Sequence, residues 1–360
     1  MMVFHVAYAL VLKRRDKRLN RRTKRFSGKI DEQLNHIKQG GQVGPIHVRY
    51  LRRRLSKITF LIAFEKAMED YREKKGDSLV EEYCRQIGPT VIYLAGLYEK
   101  KDDMQAAYFA YFVSRHLVRG QKFVEAVADS MIHYMRKNVY CRINALQALY
   151  KFGSEESIAK AITLLDWEGL CFHDKILTDG LLNFTGNHER LIQLLWEELN
   201  HYSDSIQLAI LNYIRFQTGD YCEGIFKIMA DTTRDKELRL SAIRYFGRYP
   251  YEPAKGMLLR FAADKDPRYW EYAAVSLSAL AGYSGDEVID VLMDAVHSSN
   301  WYIRFHAAAS LEASGLSYSD VAQVTNGQDR YAREMIMYQL ELKQMRDRRQ
   351  PYGRTVASGF

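Results

Sequence analysis

Cys171 and His173 stand in a C-x-H spacing with His188 nearby, and thiolate with imidazole is a ligand set that a zinc ion takes. A closed zinc site needs a second Cys or His pair at similar spacing. None follows, so the residues read as a buried thiol beside a loop histidine, and no metal is expected. Cys84, Cys141, Cys171 and Cys222 are widely and unevenly spaced without a CxxC pair, which suits reduced thiols in a cytosolic compartment. Adjacent carboxylates at Glu81-Glu82, Glu155-Glu156 and Glu197-Glu198 are the other candidates, as acid/base pairs. Neighbours on a helix point about 100° apart and exposed helix faces are rich in Glu, so these pairs read as solvated surface. No Gly-rich phosphate loop, G-x-S-x-G, H-E-x-x-H or converging His-Asp-Ser set occurs. The expectation is a chain without catalytic residues and without a cofactor.

The charge is unevenly placed. The chain of 360 residues has a formal charge of +8, but residues 1–57 hold 16 Lys/Arg against 3 Asp/Glu, a net of +13, which leaves −5 for the rest. A partner that seeks positive charge is therefore to be sought at the head. A composition 47% apolar with only 22 Gly and 6 Pro excludes collagen-like and wholly disordered chains.

Residues 1–12 are apolar apart from His5, and Lys13, Arg14, Arg15, Lys17, Arg18, Arg21, Arg22, Lys24 and Arg25 follow with one acid among them. A secretory signal has its charge before the apolar run, so this is not one. Twelve helical residues cover about 18 Å of a roughly 30 Å hydrocarbon core, too little to span it. The segment, with Val3, Phe4 and Leu10 in its apolar part, is expected to lie in a membrane interface or to be the end of a longer anchor, the basic flank facing the cytoplasm. A frayed soluble helix is the plain alternative. Nucleic acid ranks below an anionic membrane as the partner, because the run from Lys13 to Arg25 lacks aromatic residues on which bases stack. Gly40, Gly41, Gly44 and Pro45 then form a joint expected to separate head from body.

From Pro45 on, helical periodicity dominates. Leu51, Leu55, Ile58, Ile62 and Ala63 share one face of a long element ending near Gly76, and further helices fall at about 79–98, 103–117 and 122–137. Helix starts aligned at Asn138, Asp174, Ser203, Asp235, Asp266, Asn300 and Asp329 lie 29 to 36 residues apart, and all seven are residue types that cap helix N-termini. Three, seven and eight residues on, every column is apolar; at eleven only Thr185 departs. Those offsets form one stripe of a helix. A second helix follows in each period, at 158–165, 190–199, 222–229, 254–262 and 286–296, with Gly153, Gly186, Gly219, Gly282 and Gly315 near the turns between. One such hairpin cannot bury its own apolar face, so the hairpins must stack.

The pattern Asp-x-x-apolar-Arg-x-x-apolar-apolar at Asp235 to Ile243, Asn300 to Ala308 and Asp329 to Met337, with Arg142 in the Arg position after Asn138, resembles the bacterial HEAT-repeat (HEAT-like) proteins. The resemblance implies an all-α, right-handed α-solenoid, and a ladder of hydrogen bonds between neighbouring repeats through Arg142, Asp235, Arg239, Arg304, Asp329 and Arg333. Thr178, Gln207 and Trp270 replace the Arg in other repeats, where such a ladder breaks. The chain then divides into 1–44, an apolar and basic membrane-proximal segment with its linker; 45–137, helix pairs; 138–345, HEAT-like repeats; and 346–360, a polar tail.

Tyr140, Tyr302 and Tyr331 recur two residues after the cap, and Trp270 and Trp301 crowd the same turn. They either staple each helix start to its neighbour or form a ladder for a protein partner. The function read from the sequence is a non-catalytic protein–protein interaction scaffold held at the cytoplasmic side of the membrane. The alternative is a HEAT-repeat enzyme, lyase-type or DNA glycosylase-like, or a nucleic-acid binder that uses the basic N-terminus. A glycosylase would want a cationic face for DNA, which a body of net −5 does not favour.

Overall fold

The computed structural model describes residues 2–349 apart from 76, 121, 122, 171 and 316–318; the side chains of 2–12, 75, 77 and 347–349 fall outside the description. Among the described residues there are twenty α-helices and no strand, and the chain is an all-α solenoid of stacked helical hairpins. It divides into two compact units, 1–206 and 207–360.

The first unit opens on α1 (Met2–Lys38), a 37-residue helix about 55 Å long. Thr23, Phe26, Ile30 and Leu34 make its buried stripe. Gly40, at φ +81°, turns the chain so that this stripe docks on α3 (Ile58–Lys75) and α4 (Asp77–Gln86). The joint therefore folds the C-terminal half of α1 back onto the helices that follow instead of holding it apart. α2 (Pro45–Leu55) starts on Pro45, whose fixed φ and missing N–H suit a first turn. The face expected to run unbroken from Leu51 toward Gly76 is split at Ser56-Lys57 between α2 and α3, and the helix expected at 79–98 is split at Ile87, after which α5 (Gly88–Glu99) starts with Pro89 in its first turn. α6 (Asp103–His116), α7 (Val124–Tyr134), α8 (Val139–Phe152), α9 (Glu155–Trp167), α10 (Asp174–Leu182) and α11 (His188–Glu197) complete two layers. α1, α3, α6, α8 and α10 stack in one layer; α2, α5, α7, α9 and α11 stack in the other. Buried tyrosines stitch the second layer: the Tyr98 hydroxyl donates to the Leu55 carbonyl and that of Tyr134 to the Ala95 carbonyl, each at 2.7 Å.

α12 (Asp204–Gln217) leads into the second unit, which contains α13 (Cys222–Ala230), α14 (Lys236–Arg248), α15 (Glu252–Ala262), α16 (Trp270–Leu280), α17 (Asp286–Ala295), α18 (Trp301–Ala313), the short α19 (Ala322–Thr325) and α20 (Arg330–Arg349). α14, α16, α18 and α20 form one layer, with α15 and α17 in the other. The tight hairpins are α13/α14, α15/α16, α17/α18 and α19/α20. The helix expected to come second in each repeat thus comes first, a shift of phase that leaves the period unchanged.

The columns fold as their pattern dictates. At offset seven Ala145, Leu181, Ile210, Ala242, Ala273, Ala307 and Ile336 are all buried, and small residues there let the layers approach closely. Tyr269 and Met337 leave their columns for solvent; Tyr269 lies in a 3-10 turn led by Pro267, ahead of α16. Thr185 falls beyond the end of the nine-residue α10, where its N–H and hydroxyl donate to the Tyr150 and Lys151 carbonyls at 3.0 and 2.6 Å. Asn138, Asp235, Asp266, Asn300 and Asp329 cap as expected, each accepting from N–H groups two or three residues on. Two caps differ. His173 rather than Asp174 accepts from the Lys175 N–H, and the Ser203 hydroxyl is drawn to Asp166. Of the five turn glycines, Gly315 alone has a positive φ, +82°; Gly153 and Gly219 are needed for room, since a Cβ there would press on the Leu149 carbonyl and the Tyr249 ring.

Candidate functional site

Among the described residues, His173, Cys84, Cys141 and Glu155 serve the fold. Cys171 lies outside the described residues, His173 is a helix cap, and His188 stands edge-on to Phe184 at 5.7 Å. Among the described residues no group of three His, Cys, Asp or Glu is placed to hold a metal ion. Burial pushes the Cys84 and Cys141 thiols up to about 12, which keeps them protonated and inert. Glu155 is buried while its neighbour Glu156 is exposed. Burial opposes the charge on Glu155, but the N–H groups of Glu155 and Asn187 and the Arg119 guanidinium outweigh it and hold the carboxyl below its ordinary value. With Arg119 at 2.6 Å and the Asn187 N–H at 2.7 Å, Glu155 is a tie between turns.

The arginine column makes part of the implied ladder of hydrogen bonds between neighbouring repeats, through Arg142 to the Leu170 carbonyl and Arg239 to the Tyr272 hydroxyl at 3.4 Å, without the aspartates. Arg142 donates to the carbonyls of Met135, Lys137 and Leu170, Arg239 to Met229, Arg304 to Ser298 and Ser299, and Arg333 to Gly327. Those backward acceptors lie at the C-terminal end of the preceding helix or just past it, where carbonyls lack partners within the helix. Forward, three of the guanidiniums meet rings: Arg142 and Phe172 at 5.7 Å, Arg239 and Tyr272 at 5.0 Å, Arg304 and Tyr331 at 5.4 Å. Asp235 caps its own helix, and Asp329 pairs with His297 at 2.8 Å, which holds the carboxyl below its usual range. No Asp–Arg rung joins the six residues, because the aspartates are committed to capping.

The aromatic positions are brought together only within the second unit. Trp270 and Tyr302 lie 5.2 Å apart, Trp301 meets Tyr302 at 5.2 Å and stacks on Phe305 at 5.1 Å. Trp301, Phe305, Tyr331, Met335 and Tyr338, with Arg304 and Glu334, line an open groove of about 360 Å³. Tyr302 is 52% and Tyr331 67% exposed, more than a staple between helices requires. Tyr140 is equally exposed but belongs to the first unit.

The basic head folds into a face. Lys13, Arg14, Arg15, Lys17, Arg18, Arg21, Lys24 and Arg25 are exposed on α1 around the buried stripe, while Arg22 is half-buried. Among the described residues, no Lys or Arg from Lys13 to Lys57 forms an ion pair with a carboxylate, whereas cations in the repeats commonly do: Arg115 with Glu69, Arg136 with Glu168, Lys255 with Glu287. The side chains of Val3, Phe4 and Leu10 lie outside the description, and among the described residues no helix is long and apolar enough to cross a membrane.

Sequence reading missed what folding adds to this face. Arg54 of α2 extends it, and Tyr50 and Phe60 supply rings beside the run that has none of its own. Also missed was a groove of about 590 Å³ over α6, α8 and α10, lined by Tyr111, Arg115, Leu146, Lys151, Phe172 and Ile176 among others. It opens where α10 is short and Gly180 faces the Tyr150 ring.

Helical hairpins stacked in two layers, with capped helix starts and a buried column that includes small residues, define the class as a repeat protein of the α-solenoid kind. A sequence model of HEAT repeats matches residues 222–312, from the first residue of α13 into the last turn of α18, so the three hairpins α13/α14, α15/α16 and α17/α18 form a HEAT-repeat domain within the chain. No curated protein matches the chain.

Proposed function

We propose that the protein is a non-catalytic protein-interaction scaffold held at the cytoplasmic face of a membrane by α1. HEAT repeats commonly serve as protein-interaction scaffolds, and here the aromatic groove of the second unit is the surface offered to a partner. The observation that carries the membrane half is the run of exposed cations on α1, without carboxylate partners among the described residues, joined to an apolar segment in one unbroken helix. Basic side chains near an anionic leaflet each contribute about 1 kcal/mol, and an apolar segment adds to this, so two signals act together. The stripe from Thr23 to Leu34 docks the C-terminal half of α1 on α3 and α4, so the basic run is carried on a helix anchored to the first unit.

The test is co-sedimentation with vesicles of phosphatidylcholine containing phosphatidylserine. The full chain should bind, a chain lacking residues 1–12 should bind weakly, and high salt should release the latter first. Equal binding by both chains would exclude the apolar segment as an anchor. A second reading, nucleic-acid binding, is favoured by one observation, the rings of Tyr50 and Phe60 among the cations. Oligonucleotide binding that outcompetes vesicles at equal phosphate concentration would favour it.

A further inference from the structure

Two guanidiniums converge on one ring. Arg22 Cζ lies 4.4 Å and Arg54 Cζ 5.2 Å from the centre of Phe60, so the two charges are held within about 10 Å, roughly one Debye length at 0.1 M salt. Arg54 also lies 5.9 Å and Lys29 Nζ 5.2 Å from the centre of Tyr50. Phe60 and Tyr50 both pack on Phe26 of the buried stripe, at 6.4 and 6.0 Å. Three cations from α1 and α2 are thus gathered on a fixed aromatic base, with no carboxylate paired to any of them among the described residues. Cation–π contact orders the three side chains but leaves their mutual repulsion and their outward N–H donors unanswered.

We propose that Arg22, Lys29 and Arg54 form a binding site for a phosphomonoester group. Such a group carries a charge of about −1.5 to −2 and three strong acceptor oxygens, which the charge and donors of three gathered cations suit; a phosphodiester offers a single charge. Guanidinium forks bind phosphate in two-point contact, and an ammonium contributes a compact third charge. The phosphomonoester is supplied either by a lipid headgroup or by a soluble phosphate ester. The first source rests on the membrane reading above; the site itself does not. The remaining cations, from Lys13 to Arg21, lie along α1 away from these rings and act on any anionic surface without such selection.

The full chain is titrated with three probes: vesicles of phosphatidylcholine with phosphatidic acid, vesicles of matched surface charge with phosphatidylserine, and soluble glycerol 3-phosphate. The paired variant Arg22→Gln with Arg54→Gln is compared with Arg14→Gln with Lys17→Gln, which removes the same charge elsewhere on α1. The site requires that the first pair weaken phosphatidic acid binding by about ten-fold or more while both pairs weaken phosphatidylserine binding alike. Glycerol 3-phosphate should raise the melting temperature of the unaltered chain and leave that of the first pair unmoved. A headgroup source is shown by selective binding to phosphatidic acid vesicles; binding of glycerol 3-phosphate with no vesicle binding removes the membrane reading and keeps the site. Equal losses for the two pairs on every probe overturn the site and leave diffuse charge. Arg22→Lys with Arg54→Lys controls for folding, since it keeps the charge and the contact with the rings; it should retain the phosphatidylserine binding of the unaltered chain and lose part of the selectivity.

Discussion

Arg304 donates to the Ser298 carbonyl at 2.7 Å and lies over the ring of Tyr331 at 5.4 Å, so one side chain ties the turn before α18 to the start of α20. Arg142 and Arg239 repeat the arrangement with Phe172 and Tyr272. A guanidinium is suited to this double role because it is planar, always charged and weakly hydrated for a cation.

Replacing Arg304 by Ala should therefore lower stability by about 1–3 kcal/mol, since it leaves the Ser298 and Ser299 carbonyls without their charged donor. Lys227→Ala, at an exposed pair with Glu223, should cost no more than about 0.5 kcal/mol. Denaturant unfolding of the two variants checks this, and equal effects would show that the Arg column does not carry load between repeats.

This column also shows what sequence can and cannot fix. The positions of Arg142, Arg239 and Arg304, and the buried columns around them, follow from periodicity because a helix places residues three, seven and eight after a cap on one stripe. Their acceptors do not follow, since a carbonyl carries no side-chain signature. The hairpin phase was equally hidden: a period of about thirty residues is the same whichever helix opens it. The cluster of Arg22, Lys29 and Arg54 escaped for another reason, as Tyr50 and Phe60 reach α1 only after the turn at Gly40 folds the chain back.

Gly180 gives a local test of the groove over α8 and α10. A Cβ there would meet the Tyr150 ring at 2.3 Å, and the ring is buried, so Gly180→Ala should cost about 1–3 kcal/mol by overpacking. Tyr150→Phe should be neutral or stabilising, because the buried hydroxyl has no hydrogen-bond partner among the described residues. Both are read from melting curves; a destabilised Tyr150→Phe would mean that the hydroxyl has a partner in solution.

His47 gives the pH dependence. Burial, with the Lys29 charge adding to it, lowers the imidazole to about 4, and Nε2 lies 2.7 Å from the Tyr83 hydroxyl. Unfolded, the same ring titrates near 6.5, so between these values the unfolded chain binds the extra proton and stability falls as pH falls. The loss for this one group is complete near pH 4 and amounts to at most about 3 kcal/mol. His116 and His306, also lowered by burial, act in the same direction. His47→Gln should flatten the slope between pH 6.5 and 4 without removing it; an unchanged slope would place the titration elsewhere.

The exposed edge of the second unit decides whether the repeats bind a partner there. Tyr302 touches Trp270 and Trp301, and Tyr331 covers Arg304, so both have contacts to lose within the fold. If they serve only those contacts, Tyr302→Ala with Tyr331→Ala should lower the melting temperature and leave a partner captured by the full chain bound to the folded fraction. As a binding surface, the same pair should melt within a few degrees of the unaltered chain and lose the partner by about ten-fold or more, because binding energy concentrates in a few Tyr, Trp and Arg contacts. Phe305→Ala separates the cases further: Phe305 stacks on Trp301 in the floor of the groove, so it should weaken the partner without touching Arg304. Retained binding in both folded variants would remove the groove from consideration and direct the search to the surface over α6, α8 and α10.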